Sequence, residues 1–188
     1  MQQNVQQRLT GGIYFHIPFC KQACHYCDFH FVTSLKHKEE MLAAMEQELQ
    51  WHKQHSYFDS SVKIQTIYFG GGTPSLLDAE EIRRFMDRCA MYFDLSELSE
   101  VTLEANPDDL LESKIHGFQK AGINRLSLGV QSFFEEDLRW MNRAHGAGEA
   151  ERSIKAAQDA GLSNITADLI YGYPLLRDEK WEQNIRKM

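Results

Sequence analysis

Three cysteines near the start of the chain are the residues whose types and spacing most clearly predict chemistry. Cys20, Cys24 and Cys27 follow the pattern C-x-x-x-C-x-x-C. Thiolates are the usual protein ligands of iron–sulfur clusters. Three cysteines leave one iron of a four-iron cluster without a protein ligand, and an open coordination position is typical of a catalytic metal site. The spacing therefore predicts a cluster that binds and activates another molecule.

A structural zinc site is the main alternative for these cysteines. Zinc sites usually combine two pairs of ligands, and the sequence contains no second C-x-x-C or H-x-x-x-H pair. His16, His25 or His30 could supply a fourth ligand, so zinc stays open at this point. A disulfide is a weaker alternative because three of the four cysteines are crowded together and we see no secretory segment.

Composition and charge restrict the class of protein. The 188 residues are 43% hydrophobic and 25% charged, which is enough for one domain with a sizeable core. The formal net charge of −7 does not predict the basic face that nucleic-acid binding needs. No apolar run reaches the length of a membrane span. We expect a cytoplasmic protein with a flexible N-terminal arm over residues 1–11 and one core domain over residues 12–188.

Short β-like runs alternate with longer helical patterns along the chain. This alternation predicts an α/β fold in which a parallel sheet carries outer helices. The predicted strands are Ile13–Ile17, Ile64–Phe69, Val101–Glu104, Arg125–Val130 and Ile165–Ile170. The predicted helices are Lys36–His55, Asp78–Phe93, Asp108–Ala121, Glu135–Asn142, Ala147–Ala160 and Asp178–Met188.

Helix boundaries and one buried stripe can be assigned to particular residues. Asp78 and Glu81 have the spacing of a capping box, and Asn106 before Pro107 is typical of a helix start. Gly122 and Gly161 stand where helices should end. Cys89 lies on the apolar stripe of the Asp78 helix, so we expect it to pack in the core as a small hydrophobic side chain.

Polar or glycine-rich motifs follow every predicted strand. They are the cysteine loop, G-G-G-T-P-S at 70–75, E-A-N-P at 104–107, G-V-Q-S at 129–132, and Asp168 with Y-G-Y-P at 171–174. Taken singly, the glycines could form a tight turn and the acids could be helix caps. The glycine motif lacks the lysine of a phosphate-binding P-loop. Active sites of β/α barrels lie at the carboxyl ends of the strands, so the five motifs together predict one site.

These motifs, in this order, resemble those of the radical S-adenosylmethionine (SAM) superfamily and of the oxygen-independent coproporphyrinogen III oxidase family within it. The similarity runs from Gly12 through nearly all of the chain. It implies a partial (β/α) barrel, here truncated after about five β/α units, because family members continue with further structure and a carboxyl-terminal domain. We therefore expect an exposed last sheet edge, or an edge that pairs with another chain.

The resemblance also implies the cofactors and their ligands. Cys20, Cys24 and Cys27 would hold a [4Fe–4S] cluster whose open iron is chelated by SAM. A reducing electron donor would allow SAM to be split into methionine and a 5′-deoxyadenosyl radical, chemistry that belongs to the cofactor. The residues that match SAM-contacting positions of the family are Tyr14, Tyr26, Gly71, Gly72, Thr73, Glu104, Gln131, Arg143 and Asp168.

One position separates two branches of the family. The oxidases have a fourth cysteine two residues after the third, and this chain has Phe29 there. This ending resembles the sister branch of heme chaperones, the HemW type, and favours a protein that binds heme and passes it to an acceptor protein. The alternative is an oxidoreductase that decarboxylates the propionates of coproporphyrinogen III, with a porphyrinogen as substrate.

Overall fold

The computed structural model describes residues 9–55 and 62–188, which form five β/α units in sequence. The strands are β1 (Thr10–Ile17), β2 (Lys63–Gly71), β3 (Glu100–Ala105), β4 (Arg125–Gln131) and β5 (Ile165–Leu169). The helices are α1 (Lys38–His55), α2 (Ala79–Tyr92), α3 (Glu112–Lys120), α4 (Glu135–Trp140), α5 (Ala147–Asp159) and α6 (Asp178–Lys187). No helix in these ranges combines the length and apolar character that a membrane span requires.

All strand pairs are parallel, and the sheet order is β1-β2-β3-β4-β5. Each strand therefore lies beside the next strand in the chain, as β/α units require. Within the described residues β1 and β5 are the two sheet edges, so the sheet is open. The expected partial barrel with an edge at its last strand is confirmed.

One face of the sheet packs against the helices and forms the core. Phe15 of β1 and Phe69 of β2 stack with ring centroids 4.9 Å apart, and Phe85 of α2 lies 4.8 Å from Phe15. Cys89 is completely buried in this cluster, as the apolar stripe predicted. Burial raises the pKa of its thiol to about 12, which makes Cys89 a poor candidate for ligand chemistry.

The other face of the sheet carries polar and aromatic side chains. Successive side chains of a strand point to opposite faces, so residues two apart share a face. Tyr14 of β1 is paired in register with Tyr68 of β2, and Glu104 of β3 is paired with Ser127 of β4. This face leads directly to the carboxyl ends of the strands.

Local signals set several element boundaries. Asp78 accepts a hydrogen bond from the Glu81 amide, and Glu81 accepts one from the Asp78 amide, both at 2.8 Å, which completes the capping box. Gly122 and Gly161 have φ angles of 105° and 91° directly after helices, a left-handed conformation that glycine adopts without a steric cost.

Two predicted boundaries were wrong. The helix predicted over Asp108–Ala121 is split into a 3₁₀ turn at Pro107–Asp109 and α3, because Leu110 and Leu111 leave the helical conformation. The predicted arm is too long, because β1 begins at Thr10, which is paired in register with Lys63. Residues 1–8 of that arm lie outside the described residues.

Candidate functional site

A cavity of about 300 Å³ opens at the carboxyl ends of the strands. Its walls come from the cysteine loop and from the segments that follow β2, β3, β4 and β5. The predicted site residues that line it are Cys20, Cys24, Cys27, Tyr26, Gly71, Gly72, Thr73, Glu104, Gln131, Arg143 and Asp168. The sequence motifs are thus brought to one place, as the β/α pattern predicted.

The cysteine loop is closed at its base by backbone hydrogen bonds. The amide of Cys20 donates to the Val32 carbonyl at 3.0 Å, and the amide of Val32 donates to the Pro18 carbonyl at 2.7 Å. These contacts bring the start and the end of the loop together. They fix the position from which all three cysteines project.

The turn after α4 holds the middle of the same loop. The Gln22 side chain donates to the Asn142 carbonyl, and the Asn142 side chain donates to the Ala23 carbonyl, both at 2.7 Å. The amide of His25 donates to the Met141 carbonyl at 3.0 Å. The cysteine loop therefore depends on a segment about 120 residues further along the chain.

An ion-pair cluster anchors the loop on its other side. Lys21 lies 2.5 Å from carboxylate oxygens of both Asp108 and Asp109 in the turn after β3. Asp109 is buried and also accepts a hydrogen bond from the Ser75 hydroxyl at 2.7 Å. Partial burial reduces the screening that weakens surface ion pairs, so this cluster ties the cysteine loop to β3 and to the glycine motif.

Two of the three cysteine sulfurs accept hydrogen bonds from outside their loop. Thr73 Oγ1 lies 3.5 Å from Cys20 Sγ, and Arg143 Nη1 lies 3.4 Å from Cys24 Sγ. Burial chiefly raises the pKa of the Cys20 thiol, while the Thr73 hydrogen bond and the Arg143 charge act in the opposite direction. All three are free thiols rather than disulfide partners.

The thiols are not preassembled around a single ion. Among the described residues, no group of three His, Cys, Asp or Glu side chains lies close enough to hold one metal ion. Zinc would need thiolates about 2.3 Å from a common centre. A four-iron cluster spreads its cysteine ligands over separate irons, and three thiols around one cavity fit that ligand set.

The glycine motif approaches the cysteine loop closely and is more than a turn. The amide of Gly72 donates to the Ile17 carbonyl at 2.8 Å. A Cβ atom at this position would lie 2.8 Å from the Phe19 carbonyl oxygen and 2.9 Å from Cys20 Sγ. A side chain would therefore push the loop and its first cysteine out of place. Gly71 has a φ angle of 114°, which favours glycine there too.

Carboxylates form the acidic side of the cavity. Glu104 accepts hydrogen bonds from the Tyr68 hydroxyl at 2.8 Å and from the Gly71 amide at 3.0 Å. Burial chiefly raises the pKa of Glu104, and the nearby charge of Asp168 adds to the increase, whereas both hydrogen bonds lower it. Asp168 itself contacts the Ser127 hydroxyl at 3.4 Å. This arrangement favours a ligand with a positive group between the two acids.

Arg143 and Gln131 also line the cavity, and each has an unused buried polar atom. Arg143 donates to the Tyr26 hydroxyl at 3.2 Å and to the Gly129 carbonyl at 3.0 Å. Its Nε atom and the Oε1 atom of Gln131 are buried without a hydrogen-bond partner. Buried polar groups normally have partners, so these atoms fit a polar ligand in the cavity. The thiols, acids and orphaned atoms together fit an iron–sulfur cluster with SAM.

Tyr14 is the predicted site residue that the structure places outside the cavity wall. Its side chain is 57% exposed on the polar face of the sheet. Its hydroxyl lies 3.2 Å from His16 Nδ1, and its ring stacks on Tyr68 at 5.9 Å. Tyr14 is therefore linked to the site indirectly, because it stacks on Tyr68, whose hydroxyl donates a hydrogen bond to Glu104.

Sequence reasoning missed several residues of the site. Asn106 was interpreted as a helix cap, but its side chain makes no capping hydrogen bond and instead contacts Thr73 and Arg143. Its place inside the E-A-N-P motif was the signal. Tyr68 and Ser127 could have been found from their strand periodicity, since they share a face with Glu104.

Two motif residues lie outside the cavity and form a buried network below it. Ser132 of G-V-Q-S and Tyr173 of Y-G-Y-P donate to the same oxygen of Asp137, at 2.9 and 2.5 Å. Lys180 of α6 donates to the other oxygen at 2.7 Å. Asp137 is completely buried. The network joins α4, α6 and the ends of β4 and β5, where Gln131 has an unusual positive φ of 68°.

The chain matches known proteins over most of its length. The family model described as the Radical SAM superfamily matches residues 14–188. The heme chaperone HemW of Bacillus subtilis (strain 168) is 39% identical over 169 residues, which cover 86% of this chain and 42% of that protein. The heme chaperone HemW of Escherichia coli (strain K12) is 35% identical over 169 residues, covering 87% of this chain and 43% of that protein.

Solved structures show the same fold. Coproporphyrinogen III oxidase (HemN) from Escherichia coli, described as a radical SAM enzyme, matches with a TM-score of 0.84 and 28% identity over 96% of this chain and 41% of that chain. Elp3 from the archaeon Methanocaldococcus infernus matches with a TM-score of 0.61 and 19% identity, over 95% of this chain and 42% of that chain, and shows a shared fold alone. The chain spans about two-fifths of the length of these relatives.

These matches confirm the family and the partial-barrel fold that the ordered motifs predicted. The family implies a [4Fe–4S] cluster and SAM, and the donor set of the cavity fits both. The chain belongs to the radical SAM superfamily, in its coproporphyrinogen oxidase-like group that includes the HemW heme chaperones.

Proposed function

We propose that this chain is the SAM-binding core of a heme chaperone, which binds heme and passes it to an acceptor protein. One observation carries the SAM-binding part of the proposal: three free thiols, two carboxylates and an arginine with an unpaired buried nitrogen line one cavity. The proposal includes an external electron donor and a cytoplasmic location. The relatives named HemW support the chaperone branch.

The cysteines have the position and chemistry to hold the cluster. Cys20, Cys24 and Cys27 would bind three irons of the cluster, and all three line the cavity. When bound, the cluster with SAM supplies one-electron chemistry, which belongs to the cofactor rather than to the polypeptide. The chain supplies the cavity, its charges and its hydrogen-bond donors.

The acidic and basic groups of the cavity lining match the charged groups of SAM. Glu104 and Asp168 would receive the cationic amine and the ribose hydroxyls. Arg143 would offer the carboxylate its Nε–H, since both of its terminal nitrogens already donate within the chain. Gln131 Oε1, which has no partner among the described residues, would accept a hydrogen bond from the ligand.

Backbone and aromatic groups complete the proposed SAM site. Gly71, Gly72 and Thr73 would let the methionine part approach the backbone closely. Tyr26 would pack near the adenine. Tyr14 would act at the edge of the site, through its stacking on Tyr68.

Phe29 favours the chaperone over the oxidase. It lines the mouth of the cavity and is 76% exposed, at the position where the oxidases have a fourth cysteine. At this position the chain would offer a macrocycle or a partner an apolar ring instead of a thiol. The oxidase reading keeps support from the fold, since HemN matches with a TM-score of 0.84.

Anaerobic reconstitution with iron and sulfide separates the two functions. We expect a cluster whose electron paramagnetic resonance (EPR) spectrum changes when SAM is added, and a Soret shift when heme is added. We expect no conversion of coproporphyrinogen III in the presence of SAM and a reductant. Conversion of the porphyrinogen would establish the oxidase instead, and a protein that stays colourless after reconstitution would contradict both functions.

A further inference from the structure

Asn106 links the hydrogen-bond donors of two cysteine sulfurs into one chain. Asn106 Nδ2 lies 3.3 Å from Thr73 Oγ1, and Thr73 Oγ1 contacts Cys20 Sγ at 3.5 Å. On its other side, Asn106 Oδ1 lies 2.5 Å from Arg143 Nη2, and Arg143 Nη1 contacts Cys24 Sγ at 3.4 Å. A single amide therefore connects groups that touch two different thiols.

The chemistry of the partners fixes the direction of every hydrogen bond in this chain. A guanidinium group can only donate, so the atom of Asn106 that faces Arg143 must be its carbonyl oxygen. The amide NH₂ then faces Thr73 and donates to the hydroxyl oxygen. A thiolate that ligates the cluster carries no proton and can only accept, so the Thr73 hydroxyl donates to Cys20 Sγ.

The backbone around Asn106 is held in place independently of its side chain. Its amide donates to the Ser75 hydroxyl at 3.3 Å, and Ser75 donates to the buried carboxylate of Asp109 at 2.7 Å. The side chain is therefore presented to the two donors from a fixed point at the end of β3.

We propose that Asn106 is a positioning residue that aims the Thr73 hydroxyl and the Arg143 guanidinium at two cluster sulfurs and so raises the reduction potential of the cluster. The inference rests on the proposed function, because it needs the three cysteines to hold a cluster. One-electron reduction adds negative charge, part of which lies on the sulfurs. Hydrogen bonds to those sulfurs stabilise the reduced state more than the oxidised state.

Asn106→Asp tests this role with almost no change in shape. It replaces the NH₂ group with an oxygen, so the Thr73 hydroxyl donates to the new carboxylate rather than to Cys20 Sγ. The readout is the midpoint potential of the reconstituted cluster, measured by EPR during a redox titration without SAM. We expect the equilibrium constant for reduction to fall about threefold to tenfold, which corresponds to a potential about 28–59 mV more negative.

The negative charge of the aspartate beside the cluster would itself lower the potential, and the double-mutant cycle below separates that effect from the hydrogen bond. Distant substitutions show that the measurement does not respond to unrelated changes. Asn164→Asp makes the same change at an exposed position before β5, at the opposite end of the sheet from the cysteines, and should leave the potential unchanged. Thr66→Val makes the matched hydroxyl-to-methyl control on an exposed residue of β2.

A double-mutant cycle then isolates the effect that passes through Thr73. Thr73→Val should lower the potential in the wild-type background, and Thr73→Ser should keep the wild-type value. In the Asn106→Asp background, Thr73→Val should cause little further change, because the hydroxyl no longer donates to Cys20 Sγ.

Each result supports or overturns the inference. An unchanged potential in Asn106→Asp or Thr73→Val, or fully additive shifts, would overturn it. If Thr73→Val and Thr73→Ala lose the cluster while Thr73→Ser keeps it, the hydroxyl serves cluster retention and the inference is equally wrong. A wild-type chain that takes up no cluster would instead refute the proposed function, and the inference with it.

Discussion

Neutralising the buried carboxylate of Asp137 should strongly destabilise the fold around the site. Asp137 has no exposed surface and accepts hydrogen bonds from Ser132, Tyr173 and Lys180 at 2.9, 2.5 and 2.7 Å. Asp137→Asn keeps the size of the side chain but turns one of its two acceptor atoms into a donor. At least one of the three donors must then lose its partner in a buried place.

The size of the effect follows from burial. Breaking a fully buried ion pair by removing one partner costs about 3–5 kcal/mol. The cost here lies at the lower end of that range, because the Lys180 side chain is 18% exposed and also contacts Glu136. A hydrogen bond to a charged group contributes about 1.5–3 kcal/mol. We therefore expect Asp137→Asn to lower the free energy of unfolding by about 3 kcal/mol, a large share of a typical domain's stability. Tyr173→Phe removes one donor and should cost about 1.5–3 kcal/mol.

The chain offers a matched control in the neighbouring residue. Glu136 lies 2.5 Å from the same Lys180, but its side chain is 60% exposed. Because exposed ion pairs contribute about 0–1 kcal/mol, Glu136→Gln should have little effect. Urea unfolding followed by far-ultraviolet circular dichroism would compare the two variants, with unchanged m-values showing that only stability has changed. Equal costs for Asp137→Asn and Glu136→Gln would refute the reasoning.

Three further predictions concern the site and its supports. Cys24→Ala should abolish the EPR signal of the reconstituted cluster, whereas Cys89→Ala should keep it, and loss of the signal in both would contradict the ligand assignment. Gly72→Ala should reduce iron content per chain because its Cβ would lie 2.8 Å from the Phe19 carbonyl oxygen. Gly148→Ala in α5 is the control, because its Cβ would meet only the end of the Arg152 side chain, and equal iron content in the two would be evidence against close packing. Burial chiefly lowers the pKa of His145 in the folded protein, while its pKa in the unfolded chain is about 6.5. Its contribution to stability is therefore present above about pH 6.5 and is lost as the pH falls further. Between about pH 7 and pH 5.5 the free energy of unfolding of the wild type should fall by up to about 1.3 kcal/mol more than that of His145→Gln. If urea unfolding shows the same pH dependence for both proteins, His145 does not take up a proton on unfolding.

The strand and helix pattern could be predicted because each signal is local. Alternating apolar runs gave the five strands, and the Asp78 capping box gave the start of α2 to within a residue. The break at Leu110 and Leu111 could not be predicted in the same way. It directly follows Asp109, whose carboxylate is held by Ser75 and Lys21 from distant parts of the chain, and such contacts are not visible in the local sequence.

The residues that form the site were predictable from motif order, but the hydrogen bonds among them were not. Strand ends identified Glu104 and Asp168, because the carboxyl ends of parallel strands meet at one edge. The role of Asn106 depends on which atoms of Thr73 and Arg143 face it in three dimensions. A sequence gives the type of a polar side chain and its element, while the choice among hydrogen-bond partners is made only by packing.

The clamp on the cysteine loop also has a consequence for biosynthesis. Gln22 and Ala23 are held by Asn142, across separations of 120 and 119 residues. A ribosome that adds about 5–20 residues per second needs about 6–24 s to cover that distance. During this interval the cysteine loop lacks its contacts with Asn142, and its thiols are exposed to oxygen and to other metal ions. Insertion of iron and sulfide would therefore have to follow the emergence of Asn142 from the exit tunnel.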